Sequence, residues 1–154
     1  MGQAGEILIK GQSIMSGYWQ NAEATAKALK DGWYHTGDMG FQDKDGCYHF
    51  VDRKNDMIIS GGENIYPAEL ETVLGHHPEI LEASVVGKSH DRWGEIAVAF
   101  IVQKDGASLD SQQILAWLSG RLGRYKHPRE FHFIDEMPRN EMRKILKEEL
   151  RAMV

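Results

Sequence analysis

The stretch Asp52-Arg53-Lys54-Asn55-Asp56-Met57-Ile58-Ile59-Ser60-Gly61-Gly62-Glu63-Asn64-Ile65-Tyr66-Pro67 divides this chain of 154 residues into two unlike parts. Residues 52–56 are all polar and stand between apolar segments, where nothing needs burial and the backbone is free to rotate. By composition alone they read as a solvated linker. Met57-Ile58-Ile59 then predicts a short strand, stopped by Ser60-Gly61-Gly62 in a strand-to-helix loop. Pro67 suits the first turn of a helix in which Leu70, Val73, Leu74 and His77 share one face.

Working downstream, residues 81–86 predict a strand and Asp91-Arg92-Trp93-Gly94 a turn. Residues 96–102 are apolar without alternation, as a strand covered on both faces would be. Asp110 or Ser111 caps a helix carrying Ile114, Leu115, Leu118 and Leu122, and residues 131–134 form a further strand. A last helix is expected from near Asn140, with Met142, Ile145, Leu146, Leu150 and Met153 on one face. From about Asp52 onward this makes a compact α+β domain of roughly a hundred residues, a normal size for independent folding.

Working upstream, the pattern changes to short strands and turns. Residues 6–10 alternate, with Ile7 and Ile9 on one side, and Gly11 ends the run. Asn21 offers an N-cap to a short alanine-rich helix, 22–29. Asp31-Gly32 marks a turn, and Trp33-Tyr34-His35 leads into Thr36-Gly37-Asp38. Lys44-Asp45-Gly46 joins two strands of a hairpin, the second being 47–51. This part has few residues with which to build a core of its own and reads as the edge of a larger β-rich body.

Bulk properties exclude several classes. The 18 basic and 23 acidic side chains leave a net charge of -5 and no concentrated basic face, so nucleic acid is not an expected partner. Cys47 is the one cysteine, which rules out an intrachain disulfide and a thiolate metal site, and fits a reducing cytoplasm. The longest strongly apolar run, 96–102, is too short to span a bilayer. The start, Met1-Gly2-Gln3-Ala4-Gly5-Glu6, lacks the basic and apolar regions of a signal peptide and reads as a break inside a longer gene. His35, His49, His76 and His77 follow no metal-ligand spacing, so no metal site is expected.

Four stations could carry chemistry. In Tyr34-His35-Thr36-Gly37-Asp38, a glycine before an aspartate in a tight turn lets a carboxylate stand clear, where its two oxygens can accept both hydroxyls of a ribose. From this motif alone, an aspartate that supports its own turn is the favoured reading. Arg53 could offer a planar donor fork to a ribose or phosphate oxygen. The pair Gly61-Gly62 permits positive φ and close approach of a ligand, although the spacing is no Walker motif. Arg143 and Lys144 fall in the first turn of the expected last helix, where each cation costs about 0.3–1 kcal/mol, so an anion could be what keeps them there. A solvated basic patch partly offset by Glu141 stands level with that reading.

In this order the stations resemble the adenylate-forming superfamily of acyl-CoA synthetases, peptide-synthetase adenylation domains and luciferases. The resemblance covers Gly5-Glu6-Ile7, Gly17-Tyr18-Trp19, Gly32-Trp33-Tyr34-His35-Thr36-Gly37-Asp38, Asp52-Arg53-Lys54-Asn55-Asp56, Gly61-Gly62-Glu63-Asn64-Ile65-Tyr66-Pro67-Ala68-Glu69 and Lys144. It implies an α+β fold: a small C-terminal lid domain with a sheet flanked by helices, residues 53–154, preceded by a β-rich remnant of the large N-terminal domain, residues 1–52. It implies a carboxylic acid, ATP with Mg2+, and coenzyme A as substrates, a fatty acid before an aryl acid. Asp38 would bind the ribose, with Arg53, Tyr34 and Thr36 in the nucleotide site. Asn55 and Lys54 would form the hinge, and Lys144 would be the catalytic cation. Gly61, Gly62 and Glu63 would face the CoA thiol channel, with Trp93 and Lys126 toward its nucleotide end. Two positions depart from the family pattern: Asn55 stands where Asp or Lys is usual, and Arg143 where glycine is usual. The ATP-phosphate loop and acyl pocket would lie in the missing N-terminal domain, so the fragment alone is expected to be inactive. A freestanding CoA- or nucleotide-binding module and an adenylation domain feeding a carrier-protein thiol are the alternatives, and the Gly-Gly-Glu-Asn loop speaks against the second.

Overall fold

The computed structural model describes residue 2 and residues 4–154; Met1 and Gln3, two of the residues on which the reading of the start rests, lie outside the described residues. The chain divides into two compact units, Met1–Asn55 and Asp56–Val154. Both combine sheet with short helices, the α+β class the sequence implies.

The first unit is an antiparallel sheet built around one long strand. Strand β1 (Gly5–Ile9) is followed by helix α1 (Ala22–Ala28), β2 (Leu29–Lys30), β3 (Trp33–Gln42) and β4 (Tyr48–Arg53). Asn21 caps α1 as expected, its side chain accepting from the Ala24 N–H at 2.9 Å. Strand β3 pairs with β1 on one side and with β2 and β4 on the other. Opposite β1 the pairs run Leu8↔His35 and then Glu6↔Met39, so β3 carries two surplus residues within Thr36-Gly37-Asp38. The expected tight turn is therefore a bulge inside a continuous strand. Gly37, at φ +72°, supplies the left-handed step that the bulge needs.

The second unit is a five-stranded sheet with apolar cores on both faces. Its elements are β5 (Ile58–Ser60), β6 (Glu63–Ile65), α2 (Pro67–Gly75), β7 (Ile80–His90), β8 (Gly94–Gln103), α3 (Ser111–Leu118), a 3-10 turn at Arg124–Lys126, β9 (Glu130–Phe133) and α4 (Lys147–Ala152). Strand β8 is central: antiparallel to β7, parallel to β9, and bridged to β5 at Ser60↔Gly94. Because side chains alternate along a strand, Ala97, Ala99 and Ile101 enter a core with Leu70, Leu74, Ile114 and Leu118 of α2 and α3. Ile96, Val98, Phe100 and Val102 enter the other, with Met137 and Leu150. That double covering is why residues 96–102 show no polar alternation. Asp110 caps α3 in a reciprocal capping box with Gln113.

Two local expectations fail here for identifiable reasons. Gly61-Gly62 does not lead straight into a helix; it closes a two-residue hairpin between β5 and β6, with φ of +61° and +86°. Consecutive positive φ values are what such a hairpin turn requires. Nor does the last helix begin near Asn140: α4 starts at Lys147, and Asn140 Oδ1 instead accepts from the N–H groups of Met142 (3.1 Å) and Lys144 (2.9 Å). An asparagine that captures nearby amides competes with the helical ladder. Lys144 is thus not at a helix N-terminus, and the dipole cost inferred for it does not arise.

Arg143, the position where glycine is usual in the resembling family, has φ +62°. A side chain there meets a steric cost of about 1–2 kcal/mol, partly offset in glycine by its freer unfolded chain at about 0.5–1 kcal/mol. Arg143→Gly is therefore expected to stabilise the chain by roughly 0.5–1 kcal/mol in denaturant unfolding. A lower midpoint than the parent's would show that the arginine side chain offsets the strain.

Candidate functional site

In the first unit the bulge sets Asp38 opposite Arg53 at the end of the β3–β4 ladder, with Thr36 and Tyr34 earlier on the same strand. Asp38 and Arg53 are directly opposed in the register, and Arg53 Nη1 lies 2.8 Å from Asp38 Oδ1. That oxygen is shut off from solvent yet receives no hydrogen bond of good geometry. Its partner is the Arg53 guanidinium, an ion pair rather than a well-aligned hydrogen bond. Thr36 shapes the bulge: its Oγ1 donates to the Ile7 carbonyl (2.8 Å) and accepts from the Asp38 N–H (3.0 Å). The Tyr34 phenol is pushed up in pKa, first by its hydrogen bond with Tyr18 and further by the nearby Asp38 charge, with Arg53 opposing.

Glu6 organises this bulge, a role that its place at a strand start does not suggest. Its Oε1 accepts from the Gly37 N–H (3.2 Å), and its Oε2 meets His35 Nδ1 (3.2 Å) and Lys54 Nζ (2.8 Å). An acidic residue at a strand start carries no local sign of partners 29 to 48 positions away. The Lys54 hydrogen bond is the main force lowering the Glu6 pKa below its ordinary 4.5; burial opposes it, and His35 and the Gly37 N–H add to it. A depressed carboxylate stabilises the fold above its unfolded pKa, and the contribution is lost as pH falls through the folded value. Stability should therefore drop as pH falls below 4.5, with part of that acid limb flattened by Glu6→Gln in thermal melts at stepped pH. Identical acid limbs in both proteins would show that Glu6 has no such linkage.

In the second unit the structure brings Gly61 and Trp93 together. The Gly61 N–H donates to the Trp93 carbonyl at 2.8 Å, and a Cβ on Gly61 would lie 2.9 Å from Trp93 Cε3. Trp93 also carries the guanidinium of Arg92 at 4.8 Å and that of Arg129 at 4.5 Å from its ring centroid. Arg92 reads in the sequence only as part of a turn, and Arg129 went unnoticed because it is 36 positions from Trp93. Gly62 stands beside Gly61 at the hairpin tip, with open space where its Cβ would be, and the exposed Glu63 pairs with Ser60.

Lys126 is elsewhere engaged. Its ammonium donates to both carboxylate oxygens of Glu69, at 2.7 and 2.6 Å. Burial pulls its pKa down, but the Glu69 hydrogen bond and charge outweigh this, and the net direction is upward. A phosphate reaching Lys126 would have to compete with Glu69. Lys144 is exposed at the end of a polar loop, with no ion pair among the described residues. Asn55 is the last residue of the first unit, immediately after Lys54. No helix among the described residues is long and apolar enough to cross a membrane.

Residues 69–144 match the AMP-binding enzyme C-terminal domain. The chain is 51% identical over 154 residues to the indoleacetate–CoA ligase of Aromatoleum aromaticum, covering 99% of this chain and 30% of that protein. It is 47% identical over 152 residues to the 2-succinylbenzoate–CoA ligase of Geobacillus kaustophilus, covering 99% and 31%. Among solved structures, the o-succinylbenzoate CoA synthetase of Bacillus subtilis, in complex with its acyl-adenylate intermediate, superposes with a TM-score of 0.88 at 38% identity, covering 97% of this chain and 30% of that one. The chain thus spans about 30% of the length of the relatives it matches.

Proposed function

We propose that this chain, whose residues 69–144 match the AMP-binding enzyme C-terminal domain, is the lid-bearing part of an ATP-dependent acid–CoA ligase of the adenylate-forming kind. The observation that carries the proposal is likeness over nearly the whole chain, from the Asp38 bulge to the Lys144 loop, to proteins named as CoA ligases. Residues 1–52 would be the edge of the large adenylation domain and residues 53–154 the lid. The relatives' names favour an aryl carboxylic acid over the fatty acid first expected. The lone cysteine, Cys47, exposed and free, is compatible with work in a reducing cytoplasm.

Two steps follow. A carboxylate oxygen attacks the α-phosphorus of ATP, forming the acyl–phosphate bond and expelling pyrophosphate. The CoA thiol sulfur then attacks the acyl carbonyl, gives up its proton, and AMP leaves. Asp38 accepts hydrogen bonds from the ribose hydroxyls. Arg53 holds that carboxylate in place, and Thr36 and Tyr34 frame it. Lys144 brings an ammonium to the oxygens on which negative charge grows in the first step, then withdraws as the lid turns about Lys54 and Asn55. Gly61, Gly62 and Glu63 border the path of the thiol in the second step, with Trp93 and its two arginines toward the nucleotide end of CoA. Mg2+ would travel with the ATP phosphates. The described residues group no three His, Cys, Asp or Glu side chains that could hold it, and no step is assigned to it.

The test is the enzyme that carries this chain, given ATP, a panel of aryl and fatty acids, and either CoA or a phosphopantetheinyl carrier protein. Thioester formation on free CoA, fastest with an aryl acid, is expected. Acylation of the carrier alone, or no acyl-adenylate with any acid, would overturn the assignment.

A further inference from the structure

We propose that Arg139 is a positioning residue for Lys144. The inference rests on Lys144 being the cation of the adenylation step. The segment that presents Lys144 is held by polar ties rather than by burial, since Met142 at its tip is 87% exposed. Some of those ties lie within the loop. The Asn140 N–H donates to the Lys144 carbonyl (3.0 Å), the Arg143 N–H donates to the Asn140 carbonyl (2.9 Å), and Asn140 Oδ1 takes the Met142 and Lys144 amides. They give the loop a shape but do not attach it to the sheet.

Arg139 does. Its Nη1 donates to the Arg143 carbonyl at 2.6 Å, the peptide group immediately before Lys144, and its Nη2 donates to Glu82 Oε1 on β7, also at 2.6 Å. One planar guanidinium therefore links the carbonyl next to the reacting residue to a sheet strand. A lysine has a single point of charge and cannot bridge the two acceptors in fixed geometry. The backbone bridge Arg139↔Ile145 closes the loop base below it, and Ile145 leans on the core that holds Val98 and Phe100. Lys144 has a flexible four-carbon stem, so the error in where its ammonium arrives is set by how firmly its backbone is held. A displacement of about 1 Å at a reacting centre can cost about a hundredfold in rate. Arg139 touches no reacting atom in this scheme; it acts through Lys144.

The experiment measures the two half-reactions separately in the enzyme that carries this chain. Acyl-adenylate formation is followed by pyrophosphate release, and thioester formation starts from preformed acyl-adenylate and CoA. Arg139→Met is expected to lower kcat of the first about 10- to 30-fold, with KM for ATP and the second half-reaction changed less than about twofold. Arg139→Lys should recover only part of the loss. Glu82→Ala attacks the same tie from the sheet side and should give the same split if Arg139→Met folds poorly. In a Lys144→Ala background, Arg139→Met should add nothing, because the residue it positions is gone. A full additional loss in that background, equal losses in both half-reactions, or no loss in either variant would overturn the inference. If Lys144→Ala alone left adenylation intact, the role of Lys144 itself would fall. That outcome is distinct from an intact Lys144 effect with a silent Arg139.

Discussion

Lys144→Ala in the full-length enzyme is expected to lower acyl-adenylate formation about 10²- to 10³-fold while thioester formation from preformed acyl-adenylate stays within about threefold of the parent. The magnitude is that of removing one preorganised electrostatic donor from a transition state. The split follows from location. Lys144 sits on an exposed loop with no ion pair among the described residues, so its removal leaves no buried charge uncompensated and no core cavity. Its loss should be read in kcat of the first step and not in the melting temperature. Measuring pyrophosphate release and thioester appearance in parallel decides it. Unchanged pyrophosphate release would remove Lys144 from the mechanism, and equal loss in both steps would make it a structural residue.

Gly61→Val should produce the opposite split, lowering thioester formation about 100-fold with adenylation nearly unchanged. Two effects combine at this position. Gly61 has φ +61°, where a β-branched residue is a genuine outlier, and any Cβ would lie 2.9 Å from the Trp93 ring. The hairpin tip and the tryptophan, with Arg92 and Arg129 on its faces, would have to move apart. Since both belong to the surface proposed for CoA, a shift of about 1 Å is enough for the expected loss. A thioester rate equal to the parent's would detach this hairpin from thiol transfer. Together the two variants separate the half-reactions, which a general destabilisation could not do.

How far the sequence announced all this depended on the range of the forces involved. Residues 96–102 lack polar alternation because both faces of β8 are covered, and that reads directly from composition. Caps were equally legible, since Asn21 and Asp110 act on amides within a few residues. The last helix was placed too early because Met142, Ile145 and Leu146 mimic an apolar stripe. What stops it is a side chain to main chain capture by Asn140 and a positive φ at Arg143, neither of which alters hydrophobic spacing. The hairpin at Gly61-Gly62 was hidden because three-residue strands are too short to show a period of two. Among the site residues, those within a motif could be nominated, but their partners could not. Glu6 with Lys54, Arg129 with Trp93 and Arg139 with Glu82 are joined across 36 to 57 positions, and only the strand register brings them into range.

Lys54 is fastened twice to the first unit: its N–H donates to the Gly37 carbonyl at 2.7 Å, and its ammonium to Glu6. In the proposed hinge Lys54 is thus the anchored side, tied to the sheet of the first unit before the chain passes on to Asn55. Glu6→Gln would remove the side-chain tie and leave the main-chain tie in place.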